Sequence, residues 1–224
     1  MAVCYLEGIS CIQYPYSMNY ATHLVPVFDD LLLYVPVEEL VKPTYEEQLK
    51  NDASTTFPFW AKIWPASKAM SSFLQAAPGW VQSKTVLEIG AGIAIPSFVI
   101  AKHALEIIIS DHAPEAIELA EKNIQHLGLT NAKAICLDWN NFPENIFAQT
   151  IILSDINYAP DQFEPLLKLI RKFLEQGSTI IIATPQRISA LPFVEAVEPF
   201  IKRSELHSIP EGAQNIDIRI LVLQ

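Results

Sequence analysis

Between Lys84 and Ala94 the chain reads Lys-Thr-Val-Leu-Glu-Ile-Gly-Ala-Gly-Ile-Ala. Thr85 to Ile89 is a short apolar run bounded by turn residues, the pattern of a buried strand. Gly90, Gly92 and Ala94 follow as a turn of small residues. Pro96 then suits the first turn of a helix, where its missing N–H is no loss, and the helix runs through Phe98, Val99 and Ala101 to about Ala104. Strand, glycine turn and helix in this order confine the chain to an α/β sheet. Such a turn lets a nucleotide-like ligand approach the backbone.

The spacing separates two ligand classes. A dinucleotide-binding turn reads G-x-G-x-x-G, whose third glycine would fall on Ile95. Here the small residues alternate, with Glu88 two positions before Gly90. This resembles the first motif, E/D-x-G-x-G-x-G, of the class I S-adenosylmethionine methyltransferases. Ala94 stands where the third glycine belongs, a departure expected only to tighten the loop. A strand-to-helix turn without a ligand is the plainer alternative.

Downstream, strands and helices alternate. Ile107–Ser110 predicts a strand ending at Asp111, and Pro114 opens a helix with Ala116, Ile117, Ala120, Ile124 and Leu127 on one face. Ala132–Cys136 predicts a strand ending at Leu137-Asp138-Trp139, and Thr150–Ser154 one ending at Asp155-Ile156-Asn157-Tyr158. A helix with Phe163, Leu166, Leu167, Ile170, Phe173 and Leu174 inward comes next, then a strand over 178–184 and a helix over 190–200. Two final strands, 203–209 and 216–223, have no helix between them. The sum is an α/β fold: a mostly parallel sheet with an antiparallel C-terminal strand pair. Upstream, residues 23–28 and 31–37 predict a hairpin turning at Asp29-Asp30. Residues 44–49 read as a short helix or an extended arm, and Pro65 opens a helix with Ala69, Met70, Phe73, Leu74 and Ala77 at helical spacing, ending before Pro78. We divide the chain into an N-terminal extension, 1–56, and a main domain, 57–224. Residues 1–22 have no clear period.

Composition narrows the function. The 224 residues carry a net charge of −10, which argues against a nucleic-acid substrate. Residues 1–56 hold eight acids against two bases, a solvated acidic face or a surface for a basic partner. No run of about 18 uncharged apolar residues predicts a membrane span, and no signal peptide is visible at the N-terminus. Cys4, Cys11 and Cys136 read as reduced thiols in a cytoplasmic protein, not as a metal site.

In an open α/β sheet, ligands sit at the carboxyl ends of the strands. Gly90, Asp111, Asp138 and Asp155 end four successive strands, and recurrent acids are poor core residues. Asp111 is placed to accept from ribose hydroxyls, or else serves the N-terminus of the helix opening at Pro114. Asp138 is expected to accept from an adenine amino group while Trp139 offers its flat face; a turn aspartate and a packed tryptophan are the alternatives. Phe57, Phe59, Trp60 and Trp64 form a core plug or an aromatic lid over cationic groups, with Trp64 against the cofactor. Asp155 and Tyr158 fall on the acceptor side, where a carboxylate would stabilise positive charge moving onto an attacking nitrogen and the Tyr158 hydroxyl would orient the amine.

Taken together, Phe59-Trp60-x-x-x-Trp64-Pro65, Val86 to Gly92, Asp111, Leu137-Asp138-Trp139 and Asp155-x-x-Tyr158 resemble the D-x-x-Y group of class I methyltransferases. That group holds many protein-lysine methyltransferases and is close to nicotinamide N-methyltransferase-like enzymes. The resemblance covers roughly residue 22 to the C-terminus. It implies a Rossmann-like seven-strand sheet, S-adenosylmethionine as cofactor with S-adenosylhomocysteine as product, and an N-methyl acceptor. Cofactor contacts are then expected from Trp64, Glu88, Gly90, Gly92, Asp111, Asp138 and Trp139. Relatives that methylate adenine or glutamine amides carry D/N-P-P-Y where this chain has Asp155-Ile156-Asn157-Tyr158, without either proline. The leading expectation is methylation of a lysine on a partner protein. A small-molecule amine methyltransferase and a non-catalytic S-adenosylmethionine-binding protein are the alternatives.

Overall fold

A computed structural model describes residues 19–224; the segment before Asn19, with Cys4 and Cys11, lies outside the described residues. The chain opens with the hairpin β1 (Thr22–Phe28) and β2 (Leu31–Pro36), followed by α1 (Glu38–Asn51) and α2 (Pro65–Ala76). Then come β3 (Thr85–Ile89), α3 (Ile95–Ile100), β4 (Glu106–Asp111), α4 (Pro114–His126) and β5 (Ala132–Cys136). The rest is β6 (Thr150–Ser154), α5 (Phe163–Glu175), β7 (Thr179–Pro185), α6 (Leu191–Val197), β8 (Ile201–Glu211) and β9 (Gln214–Leu223).

One sheet of seven strands has the order β5-β4-β3-β6-β7-β9-β8. The first five of these are parallel, while β9 runs antiparallel between β7 and β8. The order reverses direction at β3, so the chain leaves β3 and β6 on opposite sides of a crevice at their carboxyl ends. Alternation along the strands feeds two cores. Val86, Ile107, Ile109 and Ile152 pack with α2, α3 and α4 on one face. Leu87, Ile89, Ile108, Ile151 and Leu153 pack with α5 and α6 on the other.

The hairpin is no detached module. Val27, Leu33 and Val35 are buried in the same core as α2 and α4. Asn123, buried in α4, accepts from the Tyr34 amide at 2.8 Å and donates to the Tyr34 carbonyl at 3.0 Å, replacing a strand partner for β2. α1 is longer than expected. It starts at Glu38 and carries Pro43 inside it, yet buries none of its residues. With no apolar face to set a period, it left only a faint trace in the sequence.

Candidate active site

The carboxyl ends of β3, β4, β6 and β7 meet the Phe59–Trp64 segment around a cavity of about 370 Å³. That volume is in the range of small-molecule sites. The floor is the turn after β3. Gly90 (φ +66°) and Gly92 (φ +53°) are left-handed, as only glycine adopts without strain. A Cβ on Gly90 would stand 2.9 Å from Ile156 Cγ2, and one on Gly92 would stand 3.0 Å from the Trp60 carbonyl oxygen. Ala94 is left-handed too, at φ +60°. The missing third glycine therefore does not tighten the loop; it places strain of about 1–2 kcal/mol at the start of α3.

Asp111 is buried and lines the cavity. One carboxylate oxygen accepts from the Gly92 amide and the other from the Ala113 amide, both at 2.9 Å. It thus ties the glycine turn to the entry of α4, and the oxygen that accepts from Gly92, with that one protein donor, keeps a lone pair for a ligand hydroxyl. His112 Nδ1 lies 3.3 Å from Asp111, and this hydrogen bond raises the imidazole pKa. Trp139 lines the wall, its ring fixed by donation from Nε1 to Gln162 at 3.0 Å. Trp64 also lines the cavity and donates through Nε1 to the Phe59 carbonyl at 3.0 Å, with Lys62 Nζ 4.6 Å from its ring centroid.

Two expected contacts are not brought to the cavity. Glu88 alternates onto the α3 face, where it is fully buried. It accepts from the Ser97 amide at 3.2 Å and the Ser97 hydroxyl at 2.5 Å, satisfying donors in the first turn of α3. Burial pushes its carboxyl up to about 8, so it is a neutral support beneath the turn. Asp138 is exposed and does not line the cavity; its carboxylate accepts from the amide (2.9 Å) and side chain (2.8 Å) of Asn140, the turn-aspartate arrangement.

At the β6 end, Asp155 is buried with φ +56°. Its two carboxylate oxygens meet the Arg187 guanidinium at 2.7 and 2.8 Å, a bidentate pair. Burial raises the Asp155 pKa, while Arg187 and, less strongly, Lys62 pull it down. Tyr158 completes this end, its hydroxyl pKa raised by burial and by Asp111, Asp155 and Asp161. Ser154 and Arg187 belong to the cavity, and neither was anticipated. Extending the strand-end rule to the fifth parallel strand would have pointed to Thr184-Pro185-Gln186-Arg187.

A seven-strand α/β sheet with a glycine turn under a crevice at the strand ends is the class I methyltransferase architecture. The chain belongs to the lysine methyltransferase family, whose model matches residues 44–205. Among its relatives are human histone-arginine methyltransferase METTL23, 31% identical over 114 residues (48% of this chain, 60% of that one). The calmodulin-lysine N-methyltransferase of Arabidopsis thaliana is 27% identical over 139 residues, covering 57% of this chain and 46% of that one. The chain thus spans about half to three-fifths of these relatives' length. In fold it is similar to the N-methyltransferase NodS from Bradyrhizobium japonicum, solved with S-adenosylhomocysteine, at a TM-score of 0.59 and 11% identity (79% of this chain, 97% of that one).

The cofactor of this class is S-adenosylmethionine, and the residues present fit it. The Ser154 hydroxyl is buried in the cavity wall without a partner among the described residues. Asp111 offers acceptor capacity, Trp64 and Trp139 offer flat apolar faces, and Gly90 and Gly92 line the cavity with backbone alone.

Proposed function

We propose that this protein is an S-adenosylmethionine-dependent N-methyltransferase acting on a lysine side chain of a partner protein. The observation that carries the reading is the openness of the acceptor end. Tyr158 is 45% exposed and stacks near Phe59, which is 51% exposed, and Phe59 packs edge-on against Phe57, 41% exposed. These rings form a continuous aromatic surface leading out from the Asp155–Arg187 pair, suited to a protein segment rather than an enclosed metabolite. Relatives named as histone-arginine, calmodulin-lysine and electron transfer flavoprotein lysine methyltransferases point the same way.

In the proposed site, Asp111, Ser154, Trp64 and Trp139 hold the cofactor, which when bound supplies an electrophilic methyl group on a sulfonium. The remaining work is alignment of the acceptor nitrogen. A lysine must be neutral to attack, and its free pKa is about 10.4. Asp155 alone would raise that value and hold the ammonium. Arg187 and Lys62 offset the carboxylate, so the acceptor end admits the neutral amine while Tyr158 orients it. The reading places the protein in the cytoplasm, supported by the free Cys136 thiol, and assigns it no nucleic-acid or membrane partner. Among the described residues no helix is long and apolar enough to cross a membrane.

An arginine acceptor is the second reading, favoured by one feature: Asp155 already holds a guanidinium in a two-pronged grip. The test of both is incubation of tritiated S-adenosylmethionine with cell lysate, followed by hydrolysis of the labelled material. Methyllysine in protein supports the first reading and methylarginine the second, while label confined to small molecules rejects both.

A further inference from the structure

Beside the acceptor end lies a second cavity of about 360 Å³, between the end of β7, the start of α6 and β9. Its walls are apolar, from Pro185, Ile188, Leu191 and Val194, and Arg219 contributes a guanidinium. Arg187 is a wall of both cavities, so the two hollows are neighbours. Ile188 is 88% exposed and Leu191 53%, adjacent aliphatic groups that water penalises unless something covers them. Arg219 donates from Nε to the Ser204 hydroxyl at 2.9 Å, and among the described residues no carboxylate lies in ion-pair contact with it. In a chain of net charge −10, a guanidinium left without a carboxylate in an apolar hollow is selective for an anion.

We propose that this second cavity reads the substrate sequence beside the methylated residue: an aliphatic side chain on Ile188 and Leu191, and a neighbouring carboxylate on Arg219. The inference rests on the protein-methyltransferase reading above and names the peptide that such an enzyme selects. Because Arg187 walls both hollows, the recognised pair falls close to the acceptor along the peptide.

Ile188→Asp and Arg219→Glu test this in the full chain with tritiated S-adenosylmethionine and lysate proteins. Ile188 is exposed and Arg219 half-buried, and an unchanged melting temperature verifies folding. The expected result is at least a tenfold loss of label into protein at limiting substrate, with calorimetric S-adenosylmethionine affinity unchanged. On peptides copied from the labelled segment, KM rises and kcat holds. Replacing the peptide's carboxylate residue by lysine restores transfer by Arg219→Glu but not by wild type. Wild-type labelling by both variants overturns the recognition role and leaves the methyltransferase reading standing. If wild type labels only small molecules, both fall together.

Discussion

Asp155, on the proposed acceptor side of the cavity, is held under two constraints: a left-handed backbone and a two-pronged ion pair with Arg187. The backbone decides which substitution is informative. Asparagine tolerates φ near +56°, whereas alanine adds strain, so Asp155→Asn isolates the charge. Turnover is expected to fall by about 10²-fold or more, with calorimetric cofactor affinity nearly unchanged. Its counterpart, Arg187→Gln, keeps the carboxylate but removes the cation that offsets it. The acceptor amine should then hold its proton to higher pH, moving the rising limb of the kcat profile alkaline. An unmoved profile would reduce Arg187 to a structural partner.

The same scale shows what one sequence conveys about side chains. Asp111 was legible because it ends a strand beside the glycine turn. Glu88 and Asp138 lie outside the cavity because nearness in sequence to a ligand loop does not fix direction: strand alternation turns Glu88 toward α3, and a local turn takes up Asp138. Glu88 brings a measurable consequence. Its folded-state pKa, about 8, is above the ordinary value of 4.5. Between those values the folded chain keeps a proton that the unfolded chain loses, so stability falls as pH rises from 4.5 to 8 and levels off above. Glu88→Gln, uncharged at every pH, should flatten that slope in urea titrations at pH 5 and pH 8. An unaltered slope would mean that other groups set it.

Among the elements, the glycine turn is the one whose sequence and conformation agree most directly. Gly92→Ala must accommodate both a left-handed residue and a Cβ 3.0 Å from the Trp60 carbonyl. Strain of about 1–2 kcal/mol is expected from the backbone alone. The collision with rigid backbone should also push the Trp60 segment from the cavity, weakening cofactor binding, and calorimetry alongside thermal unfolding separates the two effects. Periodic elements such as α5 and β6 were legible because burial imposes a period on them. α6 was legible within its predicted bounds, its last turn tightening over Glu198–Phe200, whereas α1 was legible only in part, since it buries no face and carries Pro43 inside it. The aromatic segment at Phe57–Trp64 proved to be both wall and surface: Trp60 is buried under the Tyr20 ring, while Phe57 and Phe59 face outward.

At the scale of the whole molecule, the cavity is assembled from remote parts of the chain, from Phe59 through the β3, β4 and β6 ends to Arg187. The hairpin leans on α4, α4 begins beside Asp111, and Asp111 bonds the Gly92 amide, so the extension and the turn share one body. A ligand bridging these parts binds the native state alone and must stabilise all of it together. At a concentration of 100 times its dissociation constant, such a ligand adds about 2.7 kcal/mol. For a chain of this size, with about 2–4 °C per kcal/mol, S-adenosylmethionine or S-adenosylhomocysteine should raise the melting temperature by roughly 5–11 °C. NAD should not, because Ile95 stands where the dinucleotide turn needs its third glycine. Differential scanning fluorimetry with the three ligands decides it, and a shift with NAD but neither adenosyl ligand would remove the cofactor assignment. Asp111→Asn should shrink the adenosyl-ligand shift through weaker acceptance from the ligand hydroxyls, whereas Asp155→Asn should leave it intact. If both variants lose the shift equally, cofactor and acceptor are not held at separate ends of the cavity.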